Sequence, residues 1–123
     1  MCNNKIIQYV VMRKDILPSK KVNGFSTGAY IAQACHAASA AMHRFACLEN
    51  TIRFLDDLEN MTVCVLGVEN NSELDSLASK LESEGVPFHL WVEKPELITT
   101  ALATAPVEKQ KVSQHLGHLK LLR

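Results

Sequence analysis

The chain has 123 residues, 47% of them hydrophobic, and 13 basic against 13 acidic side chains. That length suits a single domain spanning 1–123 and leaves too little chain for a second. The composition supports a packed core and excludes a disordered or low-complexity chain, and no run approaches the roughly 18 apolar residues of a membrane helix.

Ile6 to Met12 (IIQYVVM) is β-branched and aromatic over the length of a buried strand. Pro18 to Gly28, with its Pro, Lys20-Lys21, Asn-Gly and Ser-Thr-Gly, reads as a basic loop. Ala29 to Phe45 is alanine-rich and lacks Pro and Gly, which predicts a helix capped by Ser26 or Thr27. A second helix is expected over Leu48 to Leu58. Met61 to Val68 is a second strand. Ser72 to Glu84 places Leu74, Leu77, Ala78 and Leu81 at helical spacing, with Ser72 as the cap and Gly85 as the stop. Pro87 to Val92 and Leu97 to Thr104 are the third and fourth strands. Glu108 to His115 is a short last helix, and Leu116 to Leu122 returns to the body as an apolar tail.

The order β-α-α-β-α-β-β-α predicts an α/β fold. Its expected form is a four-stranded mixed sheet with helices on both faces, in which strands three and four pair antiparallel.

Cysteines stand at 2, 35, 47 and 64, with no C-x-x-C pair, so no metal site is expected. Cys35 and Cys64 lie in apolar runs and read as small buried hydrophobes, which suits a reducing compartment. Met1 to Val11 has neither the pattern of a transit peptide nor a signal cleavage site. The expected location is the cytoplasm. Charge is segregated along the chain. Residues 1–44 carry six bases and one acid, 45–96 carry three bases and eleven acids, and 97–123 carry four bases and one acid. Basic ends brought together by the fold would make a positive face; a chance spread of solvated charges accounts for the same numbers.

The chemistry concentrates in GAYIAQACHAASAAM, Gly28 to Met42. Positions 29, 33 and 36 share a helix face, so Ala29, Gln33 and His36 are expected along one accessible side. Beyond a basic loop, the helix N-terminus there would favour a phosphate or carboxylate. Taken alone, His36 reads as a structural or partly exposed histidine before it reads as a catalyst. Cys35 precedes it, but adjacent helical residues point about 100° apart and form no dyad. No G-x-S-x-G elbow occurs.

Arg13-Lys14-Asp15-Ile16, then Ala32-Gln33 and His36-Ala37-Ala38, resemble the R-x-D-L and G-K-x-A-A-Q-x-x-H-A signatures of type 2 peptidyl-tRNA hydrolases. The tail Gly117-His118-Leu119-Lys120-Leu121-Leu122 resembles the family's closing G-H-L-K-L-L. The resemblance runs from about Tyr9 to Leu122. The Phe25-to-His36 stretch, with its AQACHAA, and Trp91 to Glu96 (WVEKPE) are most similar to the divergent domain-containing branch. The resemblance implies a compact α/β fold, often dimeric, no cofactor, and cleavage of the ester between a peptide and its tRNA. It carries Gln33 and His36 as site residues, with Arg13 and Asp15 in support. The family's lysine falls on Ala29, and its aspartate after the third strand falls on Glu93. The threonine-containing loop of the family is shorter here, so no threonine carries over.

Ester hydrolysis needs a water, a base and a donor to the developing oxyanion. Histidine ordinarily titrates near neutrality, so His36 is the expected base. Glu93 would orient His36 or the water, Asp15 would support the site, and Gln33 would donate to the carbonyl. Arg13, Lys14, Lys20 and Lys21 would hold tRNA phosphates. Lys20-Lys21 also reads as a solvated loop, and Arg13-x-Asp15 as a strand-end ion pair that fixes the loop. Loss of the lysine keeps a second reading open, a relative that binds tRNA or protein without turnover.

Overall fold

The computed structural model describes residues 5–18 and 25–123. The chain runs β1 (Ile6–Arg13), α1 (Thr27–Arg44), α2 (Glu49–Asp56), β2 (Val63–Val68), α3 (Asn71–Ser83), β3 (Phe88–Glu93), β4 (Ile98–Thr104), β5 (Val107–Glu108) and α4 (Lys109–Leu116). One-turn 3-10 helices follow β1 at Lys14–Ile16 and precede β2 at Leu58–Asn60. The sheet order is β2-β1-β4-β3, parallel between β1 and β2 and antiparallel at the other two junctions. The expected α/β architecture and element order hold. Two further pairings lie beyond the expected four strands: β5 pairs with the start of β1, and the tail pairs with β2 through Gly67 and Leu122.

Period-two alternation in β1 divides the interior in two. Ile7, Tyr9 and Val11 join Leu66, Val68, Leu74, Leu81, Leu102 and Val112, under α3 and α4. Val10 and Met12 face the other way, with Tyr30, Ala37, Ala41, Ala101 and Ala103, under α1. Ala37 and Ala41 on the helix and Ala101 and Ala103 on β4 are all fully buried. Small side chains on both partners let α1 lie close on the sheet, and close packing leaves little tolerance for added volume. Gln8 adds a polar tie, its amide donating to the carbonyls of Ala38 and Thr104.

Two local expectations are corrected. The cap of α3 is Asn70, whose side chain accepts from the Glu73 amide, and Ser72 lies inside the first turn. Cys35 is exposed, not buried. The buried stripe of α1 is Tyr30, Gln33, Ala37 and Ala41; Cys35 sits two residues from both Gln33 and Ala37, about 200° round the helix. Of the two proposed caps of α1, Ser26 serves, its hydroxyl accepting from the Ala29 amide at 3.2 Å. No helix among the described residues is long and apolar enough to cross a membrane.

Candidate active site

The candidate site lies where α1 crosses the sheet, and successive turns of the helix meet successive strands. Tyr30 donates its hydroxyl to the Arg13 carbonyl at the end of β1 (2.8 Å). Gln33, one step along, reaches β4: the Thr100 hydroxyl donates to its Oε1 at 2.9 Å. His36, the next step, reaches β3, where its ring stacks on Trp91 with centroids 4.6 Å apart and planes 16° from parallel. Steps of three residues keep the three contacts on one side of the helix.

The three differ in burial. Tyr30 is 5% exposed and Gln33 1% exposed, whereas His36 is exposed at the rim. The expectation of one accessible face therefore holds for His36 and fails for Gln33, because the stripe that packs on the alanines of β4 includes position 33. The Gln33 amide donates to the Ala29 carbonyl one turn back, at 3.1 Å. Ala29 is half-buried.

A register shift in the β3–β4 pair puts these groups in place. Trp91 faces Ala101 and Val92 faces Thr99, so Thr100 is the extra residue of a bulge. Strict alternation would send Thr100 to the same face as Leu102. The bulge turns it toward α1 and Gln33 instead. It also turns Thr99 the other way, where its hydroxyl donates to Asn71 of α3. The threonines therefore lie on β4, as read from sequence, but their directions come from the bulge.

Glu93 is half-buried and two residues from Trp91 on the same face of β3. Its carboxylate accepts the Trp91 indole N–H at 3.1 Å. The fold links Glu93 to His36 through Trp91, a residue the sequence reading quoted but gave no role. Stacking between residues 55 apart leaves no trace in local periodicity.

Arg13 and Asp15 form the strand-end ion pair. Arg13 donates from Nε at 3.0 Å and from Nη2 at 2.8 Å to the two carboxylate oxygens, and from Nη1 to the Thr99 carbonyl at 2.9 Å. The Arg13 side chain is only 14% exposed. The hydrogen bonds from Arg13 hold the Asp15 carboxyl below its ordinary range, against partial burial. Burial, with the Asp15 charge adding, pushes the Tyr30 hydroxyl up to about 12, so it stays a donor. Lys14 pairs with Glu69 at 2.8 Å, its stem lying across Gly67, where a Cβ would meet Lys14 carbons at 3.0 Å. Lys20 and Lys21 lie outside the described residues. Recesses of about 650 and 540 Å³ occur elsewhere, around His115 and Arg53 and around Arg44 and Glu82, and neither is lined by His36 or Trp91.

Residues 6–122 match the family described as "Peptidyl-tRNA hydrolase PTH2", and the chain belongs to that family. Its relatives include a mouse protein named "Putative peptidyl-tRNA hydrolase PTRHD1", 38% identical over 118 residues, covering 96% of this chain and 83% of the mouse protein. The human protein of the same name is 36% identical over the same coverage.

Proposed function

We propose that this chain hydrolyses the ester between a peptide and its tRNA, in the cytoplasm, with His36 as the general base. The carrying observation is the setting of His36: an exposed imidazole, stacked on Trp91, on a helix tied to β1 and β4 by Tyr30 and Gln33. Neither ring nitrogen has a hydrogen-bond partner among the described residues. His36 would take a proton from water as the water attacks the acyl carbonyl. The tetrahedral intermediate would then collapse, breaking the ester bond and releasing the ribose hydroxyl of the tRNA with a proton returned from the imidazolium.

The other residues take supporting parts in this reading. Gln33 is sealed under the helix, which favours holding α1 over donating to the substrate carbonyl. Asp15 and Arg13 brace the end of β1 beside the helix start. Arg13 has three N–H donors engaged within the protein and a side chain only 14% exposed, so phosphate contact falls to the more exposed Lys14 and to Lys20 and Lys21. An open rim rather than a closed pocket suits a substrate as large as tRNA.

Ala29 in the lysine position favours the second reading, a binding module without turnover. One experiment separates them: wild type and Ala29→Lys are incubated with a defined peptidyl-tRNA and the released peptide is followed. The esterase reading expects release by wild type and faster release by Ala29→Lys. No release by either, with tRNA binding retained, leaves the binding module.

A further inference from the structure

We propose that Trp91 is the positioning residue for His36, clamped by Glu93 so that its indole fixes the imidazole plane. The inference rests on the esterase reading and deepens it by assigning a role to Trp91, which that reading left as a neighbour of His36. An exposed histidine ordinarily samples several rotamers, and each costs the reaction the time spent away from the substrate. Here the ring lies on Trp91 at 4.6 Å and 16°, within the range of aromatic stacking. The stack covers one face of the imidazole and leaves its edge, with both nitrogens, free.

Trp91 is itself held from three directions. Its ring packs against the apolar cluster under α1. Its backbone pairs with Ala101 immediately before the bulge. Its indole N–H is bound by the Glu93 carboxylate at 3.1 Å. A carboxylate accepts this bond more strongly than a neutral amide, which fits Glu93 acting through the indole and not by direct contact with His36. Imidazolium formed during the reaction would rest on the π face of the indole, the best aromatic face for a cation.

Trp91 is the chain's single tryptophan, so the clamp can be read without any reaction. The test compares wild type, Trp91→Phe and Trp91→Leu, with circular dichroism to confirm folding. Glu93→Ala, read by tryptophan emission, serves as a variant that keeps the indole. In wild type the His36 ring protons, assigned by comparison with His36→Gln, are expected upfield from indole ring current. The shift should vanish in Trp91→Leu and shrink in Trp91→Phe. Glu93→Ala should move the emission and weaken the His36 shift.

In single-turnover and steady-state kinetics, Trp91→Leu should lower kcat by roughly ten- to a hundredfold at nearly constant KM. Trp91→Phe should recover most of that loss. Unshifted His36 protons in wild type, or full kcat in a folded Trp91→Leu, overturn the proposal. A raised KM at constant kcat also overturns it and makes Trp91 a substrate contact. Absent turnover in wild type with the ring-current shift intact overturns the esterase reading and the catalytic role of the clamp together. Normal turnover without the shift overturns the clamp alone.

Discussion

Arg13 and Asp15 show how far a single residue can be read from sequence. Their spacing at the end of a strand left two readings open, an ion pair that fixes the loop and a direct part in the site, and the structure gives a bidentate pair. Its pH dependence has a definite sign. The Asp15 carboxyl lies below its ordinary range when folded. The pair therefore contributes fully above the usual aspartate value of about 3.9 and fades as pH falls through the lower folded value. Asp15→Asn should flatten the acid limb of a stability profile measured by denaturant unfolding; an unchanged limb would show that the pair contributes nothing. Tyr30 has the opposite sign. Its pKa is raised to about 12, so its contribution is present below the ordinary value of about 10 and is lost as pH rises through 12. Burial raises Tyr9 as well. Neither of the two tyrosines should develop phenolate absorbance near pH 10, and ionisation should accompany alkaline unfolding. Normal titration of either at pH 10 would contradict the burial described. Gln33 and Cys35 mark the limit of reading at this scale. Each is polar or small in an alanine-rich helix, and which one faces inward depends on the helix phase, set by what the sheet offers.

Elements were more legible than the contacts between them. Strands β1 to β4 and helices α1 to α4 follow from β-branched runs, alanine content and helical spacing, with ends displaced by a few residues. The bulge at Thr100 was not legible, because a one-residue excess in β4 depends on the register of β3 and leaves no local signal. The two-residue β5 and the tail pairing were too short to carry a periodic pattern. The bulge matters because it supplies the hydroxyl that satisfies Gln33. Thr100→Val keeps the shape and removes that donor, leaving a buried acceptor short of a partner. A loss of about 1–3 kcal/mol is expected from denaturant midpoints; wild-type stability would mean that Gln33 finds another donor. The α1–β4 contact is built from alanines on both sides, so Ala37→Leu should cost about 1–3 kcal/mol through overpacking. The same change at exposed Ala46 should cost little, and equal effects at the two sites would deny the close approach of helix and sheet.

At the scale of the whole molecule, the chain segregates its charge into basic ends and an acidic middle. The fold places β1 between β2 and β4, so both basic ends contribute to one sheet, and the candidate site opens beside the end of β1. Lys14 is shared with Glu69, which leaves Lys20 and Lys21 to supply the remaining phosphate contacts in the proposed complex. Affinity for tRNA should then fall steeply with added salt as counterions are no longer released to advantage. Alanine at both Lys20 and Lys21 should weaken binding and flatten the slope, as read by filter binding over a salt series; affinity indifferent to salt would remove the phosphate role. The family was legible from order and spacing of short motifs, while the environment of His36 required the fold, because Trp91 stacks on it, and Glu93 acts through Trp91, only by tertiary contact.

The central claim is that His36 acts as a base on an ester of tRNA. Its most direct test is the single-turnover rate of peptide release from a defined peptidyl-tRNA, measured for wild type and for His36→Ala with both shown to be folded and to bind tRNA. The account predicts measurable release by wild type and a rate roughly 10²–10⁴-fold lower for His36→Ala. Equal rates for the two folded proteins would contradict it.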